Sequence, residues 1–183
     1  MNIYDVACAM AQTLERAGIE YSIVGALTSM YYGMSRNTMD ADFVVELSAK
    51  KISDVAAELP AGFVLERQPR FEMFTSKTYY GIAVAGTNFR IDLFCLSDDP
   101  FDRSNFSRRR KVQLQGREVF FPSPEDLVVQ KLRWQRHKDL SDALDVLTIQ
   151  GQSLDFAYIE HWSDQHGTRA LLDKLRSEIP PEI

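Results

Sequence analysis

The residues in this sequence that are best suited to chemistry are three aspartates in two apolar stretches. Asp40 and Asp42 stand two positions apart, and the β-prone run Phe-Val-Val that follows them predicts a strand. Side chains two apart in a strand lie on the same face, with roughly 6–7 Å between their positions. Two carboxylates at that spacing repel each other unless a cation lies between them. Mg²⁺ takes hard oxygen ligands of this kind, usually together with phosphate and water.

The third aspartate strengthens this interpretation, because an isolated Asp-x-Asp is more often a solvated strand end. Asp92 lies in a second predicted strand, Asn88–Cys95, on the face opposite the apolar side chains at 89, 91, 93 and 95. A buried, ionised carboxylate without a partner is costly. The pair Asp40 and Asp42, together with metal, is the natural partner. Three carboxylates on two adjacent strands predict a two-metal site of the phosphoryl-transfer kind, with Mg²⁺ as the cofactor.

The elements that must position these aspartates predict an α+β fold with a mixed sheet. Residues 3–17 carry a helical stripe that Gly18 ends, and they predict a helix covering one face of the sheet. Residues 21–24 predict a short strand that Gly25 breaks, followed by a short helix at 27–32. The later segments 63–67, 71–76, 80–85 and 88–96 have no helices between them, so we expect antiparallel neighbours. Asp92 would then lie beside Asp40 and Asp42.

The second part of the chain predicts helices. Ser123 is the expected N-cap and Pro124 the first residue of a helix, and apolar stripes continue after residue 140. We therefore divide the chain into an α+β core at 1–121 and a C-terminal helical portion at 122–183, packed on the core. The acidic segment Asp98–Asp102 is expected to be a loop without a metal role.

Composition limits the classes of protein to which the chain can belong. The 183 residues are 45% hydrophobic and 11% aromatic, as in a globular protein with a core. Cys8 and Cys95 are too isolated for a disulfide framework or a zinc cluster. The first residues lack a signal-peptide pattern, and no apolar run approaches about 18 residues. We therefore expect a cytoplasmic protein without a membrane partner.

The charge distribution leaves a role in nucleic-acid binding open. A net charge of −5 does not favour non-specific binding to nucleic acid. The basic run Arg108–Lys111 is the local exception. It predicts either a solvated loop or a landing site for nucleotide phosphate or a polyanionic acceptor.

An ordered set of motifs resembles the nucleotidyltransferase superfamily that includes DNA polymerase β. More narrowly, the chain is similar to small stand-alone bacterial nucleotidyltransferase-like proteins, related to toxin-type and antibiotic-modifying members. The resemblance spans roughly residues 20 to 150. The motifs are the turn Val24-Gly25-Ala26, the segment Arg36–Asp42, the segment Arg90–Leu93, the segment Phe121–Leu127 with Lys131, and Lys138–Asp142.

The resemblance implies a nucleotidyltransferase-like mixed β-sheet flanked by helices, and it implies roles for particular residues. Asp40, Asp42 and Asp92 would be the catalytic metal ligands, with Asp92 either binding the second metal ion or accepting the proton of the acceptor. The implied nucleotide-binding residues are Gly25, Ala26, Arg36 and Lys131, and Ser29 on the helix after the turn is placed to approach the same ligand.

The implied activity is Mg²⁺-dependent transfer of a nucleoside monophosphate from a nucleoside triphosphate to an acceptor hydroxyl. The acceptor is left open between a small molecule, a protein and a tRNA. One form of the hypothesis is a toxin-type enzyme with an antitoxin protein as its partner. Ala26 replaces the second glycine or the serine that the family usually has at the turn. The alternative is therefore a catalytically weak nucleotide-binding or regulatory protein with the same fold.

Overall fold

A computed structural model of the protein describes residues 1–34, 37–47, 50–73 and 77–179. The chain forms two compact units: Met1–Leu27 with Asn37–Pro122, and Thr28–Arg36 with Ser123–Ile183. In the described residues the helices are α1 (Ile3–Arg16), α2 (Ala26–Tyr32), α3 (Ile52–Glu58), α4 (Pro100–Ser107), α5 (Pro124–Trp134), α6 (His137–Gln150), a 3₁₀ turn (Gly151–Ser153), α7 (Phe156–Gln165) and α8 (Arg169–Ser177). The strands are β1 (Tyr21–Val24), β2 (Asp40–Val45), β3 (Phe63–Leu65), β4 (Arg70–Glu72), β5 (Lys77–Val84), β6 (Arg90–Cys95), β7 (Arg110–Leu114) and β8 (Arg117–Phe121).

The first unit is built on a mixed sheet of six strands. Its order is β1-β2-β6-β5-β3, and β4 also pairs with β5. The pair β2–β6 is parallel, while the other pairs in this sheet are antiparallel. Strands β7 and β8 form a separate antiparallel hairpin. The predicted α+β class and mixed sheet are confirmed.

The two faces of the central strands differ in character. Ala41, Phe43 and Val45 of β2 are fully buried, as are Ile91 and Leu93 of β6. Helix α1 packs against β1 and β2 and buries its own apolar stripe. Because side chains alternate along a strand, the aspartates of β2 and β6 lie on the face opposite this apolar core.

The second unit contains helices α5 to α8. Helix α5 packs against α6 and α7, and α8 packs against the same two helices. Helix α5 begins as the sequence predicts, with Ser123 as N-cap and Pro124 in the first turn. The Ser123 side chain accepts a hydrogen bond from the backbone N–H of Asp126. Such a cap satisfies one of the backbone donors that a helix start leaves unpaired.

The prediction of a loop at Asp98–Asp102 is wrong, because α4 begins at Pro100. Asp99 is its N-cap and accepts hydrogen bonds from the backbone N–H groups of Phe101 and Asp102. An aspartate followed by proline is a helix-start signal. The proline ring fixes a helical φ, and the backbone N–H that proline lacks would be unpaired in the first turn of a helix anyway. The acidic cluster therefore serves to start a helix.

The basic run after α4 is not a loop either. Arg108 is the C-cap of α4, and Arg110 opens β7. The Arg109 guanidinium lies 4.1 Å from the centre of the Phe106 ring and also pairs with Glu20.

Within the described residues, no helix is both long enough and apolar enough to span a lipid bilayer.

Candidate functional site

The candidate site begins at the turn after β1, where the backbone passes close to Asp42. Gly25 has a φ of +70°, in the left-handed region that glycine adopts at little cost. A Cβ built on Gly25 would lie 2.1 Å from Oδ2 of Asp42. Any larger residue here would collide with that carboxylate. The turn and the aspartate are therefore fitted to each other.

The parallel pair β2–β6 brings two of the predicted aspartates together. Asp42 lies directly opposite Asp92 in the register of the two strands, and Asp40 lies opposite Arg90. Opposite residues on neighbouring strands point to the same side of the sheet, so the three aspartates share one face. Asp40 is exposed, whereas the Asp92 side chain is only 16% exposed.

Asp92 has a partner that the sequence interpretation did not identify. Its Oδ1 accepts a hydrogen bond from Nε of Arg90 at 2.7 Å. The same guanidinium lies 3.2 Å from Oε1 of Glu66. Sequence reasoning assigned Asp40 and Asp42, with metal, as the partner of this carboxylate. In the structure the neutralising charge comes from the arginine two residues earlier on the same strand. The alternation of β6 indicates only that the two side chains share a face.

A second glycine makes room for this arginine. Gly81 of β5 lies opposite Asp92. A Cβ on Gly81 would come within 2.4 Å of an Arg90 nitrogen and 2.7 Å of Oε2 of Glu66. The missing side chain therefore leaves the space in which the guanidinium of Arg90 and the carboxylate of Glu66 meet.

The electrostatic balance at Asp92 is set by opposing effects. Burial raises the pKa of Asp92, and the hydrogen bond and charge of Arg90 lower it. The charges of Asp40 and Glu66 raise it further, and the net result is a pKa above the usual value. For Arg90, burial lowers the pKa, but the hydrogen bond to Asp92 and the nearby negative charges raise it overall. The negative charges on this face are close enough to act on one another.

The donor chemistry of this face fits a hard divalent cation. Asp42 and Asp92 offer carboxylate oxygens from adjacent strand positions, and Asp40 adds a third on the same face. Oxygen donors of this type suit Mg²⁺. Across the described ranges, no three His, Cys, Asp or Glu side chains are already drawn together as metal ligands. Asp92 is held by Arg90 in this conformation.

The other predicted nucleotide-binding residues occupy different surroundings. Ala26 begins α2 and is 8% exposed, and Ser29 on the same helix is 3% exposed. Ser29 belongs to the second compact unit, whereas Gly25, Ala26 and the three aspartates belong to the first. Arg36 lies outside the described residues.

Lys131 is buried inside the second unit with its charge already paired. It is 1% exposed, and its Nζ lies 3.0 Å from Oδ1 of Asp139 and 2.7 Å from Oδ2 of Asp142. Arg136 also binds Asp139. Burial by itself would raise the pKa of Asp139, but Arg136 and Lys131 outweigh it, so that this pKa is lowered. The ammonium thus joins α5 to α6.

No protein-family model matches this chain, and no curated protein matches its sequence.

Solved structures, in contrast, match it over nearly its whole length. The solution structure of the antibiotic-resistance factor ANT(2'')-Ia gives a TM-score of 0.62 at 11% identity, over 96% of both chains. The crystal structure of ANT(2'')-Ia in complex with adenylyl-2''-tobramycin gives 0.60 at 11% identity, over 91% of this chain and 98% of that one. An antigenic nucleotidyltransferase-like protein from Paracoccidioides brasiliensis gives a TM-score of 0.57 at 18% identity, over 98% of this chain and 94% of that one. This chain has a nucleotidyltransferase fold.

The resemblance inferred from the motifs is confirmed at the level of the fold. In this chain the parallel pair β2–β6 places Asp42 directly beside Asp92. At identities of 11–18%, these structures share the fold of this chain. Any reaction depends on the chain's own site residues.

Proposed function

We propose that this protein is a metal-dependent nucleotidyltransferase that moves a nucleoside monophosphate from a nucleoside triphosphate to an acceptor hydroxyl. The observation that carries the proposal is the direct opposition of Asp42 and Asp92 on β2 and β6, with Asp40 on the same face. The nucleotidyltransferase fold of the protein supports activity of this general kind. In the reaction, the acceptor oxygen forms a bond to the α-phosphorus, and pyrophosphate leaves.

In this proposal Asp40 and Asp42 would hold Mg²⁺ together with the triphosphate. Asp92 would either bind a second Mg²⁺ or accept the proton of the acceptor hydroxyl. Bound Mg²⁺ would supply charge stabilisation for the transferred nucleotidyl group. The carboxylates contribute by fixing these positions on a rigid strand pair, which lowers the entropy cost of bringing two substrates together.

The glycine turn has a separate role. Gly25 lets the backbone approach Asp42 closely, and the backbone N–H groups of such a turn can bind phosphate oxygens. Ala26 retains its backbone N–H group but offers no hydroxyl. We therefore assign phosphate binding at the turn to the backbone.

The acceptor is best sought with a panel of different hydroxyl compounds. ANT(2'')-Ia is an antibiotic-resistance factor whose crystal structure contains adenylyl-2''-tobramycin. Aminoglycosides therefore belong in the panel, beside tRNA and protein acceptors.

The proposal is tested by thermal unfolding with each nucleoside triphosphate, with and without Mg²⁺. A ligand that binds only the folded state at a hundred times its Kd adds about 2.7 kcal/mol to the free energy of unfolding. We expect a Mg²⁺-dependent rise in Tm that the Asp40→Asn/Asp42→Asn variant loses. Asp98→Asn is the matched control, because its side chain is 98% exposed. A rise that persists in the double variant, or no rise with any nucleotide, would contradict the proposal.

The second candidate is a nucleotide-binding protein with slow turnover or none. Two features favour it: Ala26 in place of the glycine or serine that is usual at the turn, and the Arg90–Asp92 ion pair. Pyrophosphate release over the acceptor panel separates the two functions. Magnesium-dependent binding without pyrophosphate release would favour the second.

A further inference from the structure

We propose that Arg90 competes with the divalent metal ion for the carboxylate of Asp92. This inference rests on the proposed function, since it concerns the same aspartates. In the structure the Arg90 guanidinium pairs with both Asp92 and Glu66. A metal ion on Asp92 would open the Arg90–Asp92 pair, and Arg90 would remain attached to Glu66.

The first support is the contact itself. Nε of Arg90 lies 2.7 Å from Oδ1 of Asp92, on a side chain that is only 16% exposed. A guanidinium stays protonated in proteins, so its positive charge is present at any working pH. A divalent cation on Asp92 would therefore face a nearby like charge, and like charges a few ångströms apart interact strongly where water is partly excluded.

The second support is that Arg90 has another partner ready. Its Nη1 lies 3.2 Å from Oε1 of Glu66. The backbone N–H of Glu66 donates to the carbonyl oxygen of Gly81, which fixes residue 66 beside β5. Arg90 can thus leave Asp92 without leaving its charge unpaired.

The third support is the space over Gly81. A Cβ there would approach an Arg90 nitrogen to 2.4 Å and Oε2 of Glu66 to 2.7 Å. The sheet therefore accommodates the ion pair over a position without a side chain, on the far side of Asp92 from Asp42. The guanidinium therefore already lies next to Glu66, on the side of Asp92 that faces away from Asp42.

A purely structural role for Arg90 predicts the opposite result. If the arginine only held Asp92 in a useful orientation, its removal would weaken metal binding. If it competes with the metal, its removal strengthens binding. The direction of the change in metal affinity therefore distinguishes the two roles.

The experiment measures Mn²⁺ binding to the full chain, without nucleotide, from the electron paramagnetic resonance signal of unbound Mn²⁺. We expect Arg90→Gln to bind Mn²⁺ about tenfold more tightly than the wild type, because removing one unit charge a few ångströms away is worth at least about that factor. Arg90→Lys keeps the charge and should stay close to the wild type.

The matched control is Arg70→Gln. Nε of Arg70 lies 2.9 Å from Oε2 of Glu66, so this variant removes the same charge from the same network. Within the described contacts its ion pair is with Glu66 and not with Asp92. An equal gain in Arg70→Gln would mean that only overall charge matters, and this would overturn the inference.

The remaining outcomes separate the inference from the proposed function. If wild-type binding is abolished by Asp42→Asn but Arg90→Gln binds no more tightly than the wild type, the inference fails and the metal site stands. If neither the wild type nor Arg90→Gln binds Mn²⁺ through Asp42, both fail. Circular dichroism checks that each variant folds. If Arg90→Gln does not fold, Arg90→Lys is compared with the wild type instead. Its Mn²⁺ affinity must then match that of the wild type.

Discussion

Gly25 faces Asp42 so closely that a Cβ on residue 25 would lie 2.1 Å from Oδ2 of the aspartate. We expect Gly25→Ala to lower the free energy of unfolding by about 1–2 kcal/mol from its left-handed backbone alone. Moving the Asp42 carboxylate adds to this cost and reduces the Mg²⁺-dependent rise in Tm with nucleotide. Urea unfolding and thermal unfolding measure the two effects.

The matched control for this variant is Gly116→Ala. Gly116 has a φ of +76°, and a Cβ there would meet nothing within 4 Å. It should lose stability through its backbone alone and keep the full nucleotide-dependent rise in Tm. Equal effects of the two substitutions on that rise would contradict the role assigned to Gly25.

The buried charge of Lys131 predicts a large loss of stability when it is removed. Lys131→Met would leave Asp139 and Asp142 without the ammonium they share, and breaking a buried pair in this way costs about 3–5 kcal/mol. Lys138→Met changes an exposed lysine and should alter the free energy of unfolding by no more than about 0.5 kcal/mol. Urea unfolding provides the measurement, and similar values for both variants would contradict this account.

The same cluster predicts a loss of stability in acid. The pKa of Asp139 is lowered in the folded protein below its usual value of 3.8. The unfolded state therefore binds the proton more readily, and the contribution of Asp139 to stability is present above the unfolded pKa and lost as the pH falls through the folded one.

We expect the difference in free energy of unfolding between the wild type and Asp139→Asn to shrink as the pH falls from about 5 towards 2. Urea unfolding at several pH values measures it. A difference that stays constant over this range would show that the charge of Asp139 does not stabilise the fold.

The N-cap of α4 supplies a fourth prediction. Asp99→Ala removes the acceptor of two backbone N–H groups and should cost about 1 kcal/mol. The neighbouring Asp98 is exposed and pairs only with the exposed Arg103 in the described contacts, so Asp98→Ala should cost about 0.5 kcal/mol or less. Thermal unfolding compares them. Equal costs would indicate that the cap does not stabilise the helix.

Local patterns predicted the strands and the shared face of the aspartates. Two-residue alternation in Asp40–Val45 and around Asp92 is sufficient for this, because it follows from the geometry of a strand. The start of α5 was equally clear from Ser123 and Pro124. The start of α4 carried the same kind of signal in Asp99 and Pro100, but the surrounding acidic residues were interpreted as a loop.

The charge partners could not be predicted in the same way. Lys131 meets Asp139 and Asp142 because α6 packs against α5, and no local period in the sequence specifies that contact. The Arg90–Asp92 pair depends on the conformation of the long Arg90 side chain. That conformation requires the space left by Gly81, which lies on a different strand.

The parallel pairing of β2 with β6 also constrains the order in which the first unit can fold. Strands β5 and β6 are joined by residues 85–89 and can pair as a hairpin on the microsecond timescale. Strand β2 must find β6 across residues 46–89, and closing a longer loop costs more conformational entropy and slows pairing. Asp92 should therefore acquire Gly81 as its strand neighbour before Asp42 arrives. A chain halted before that closure would contain hairpins but no aspartate pair.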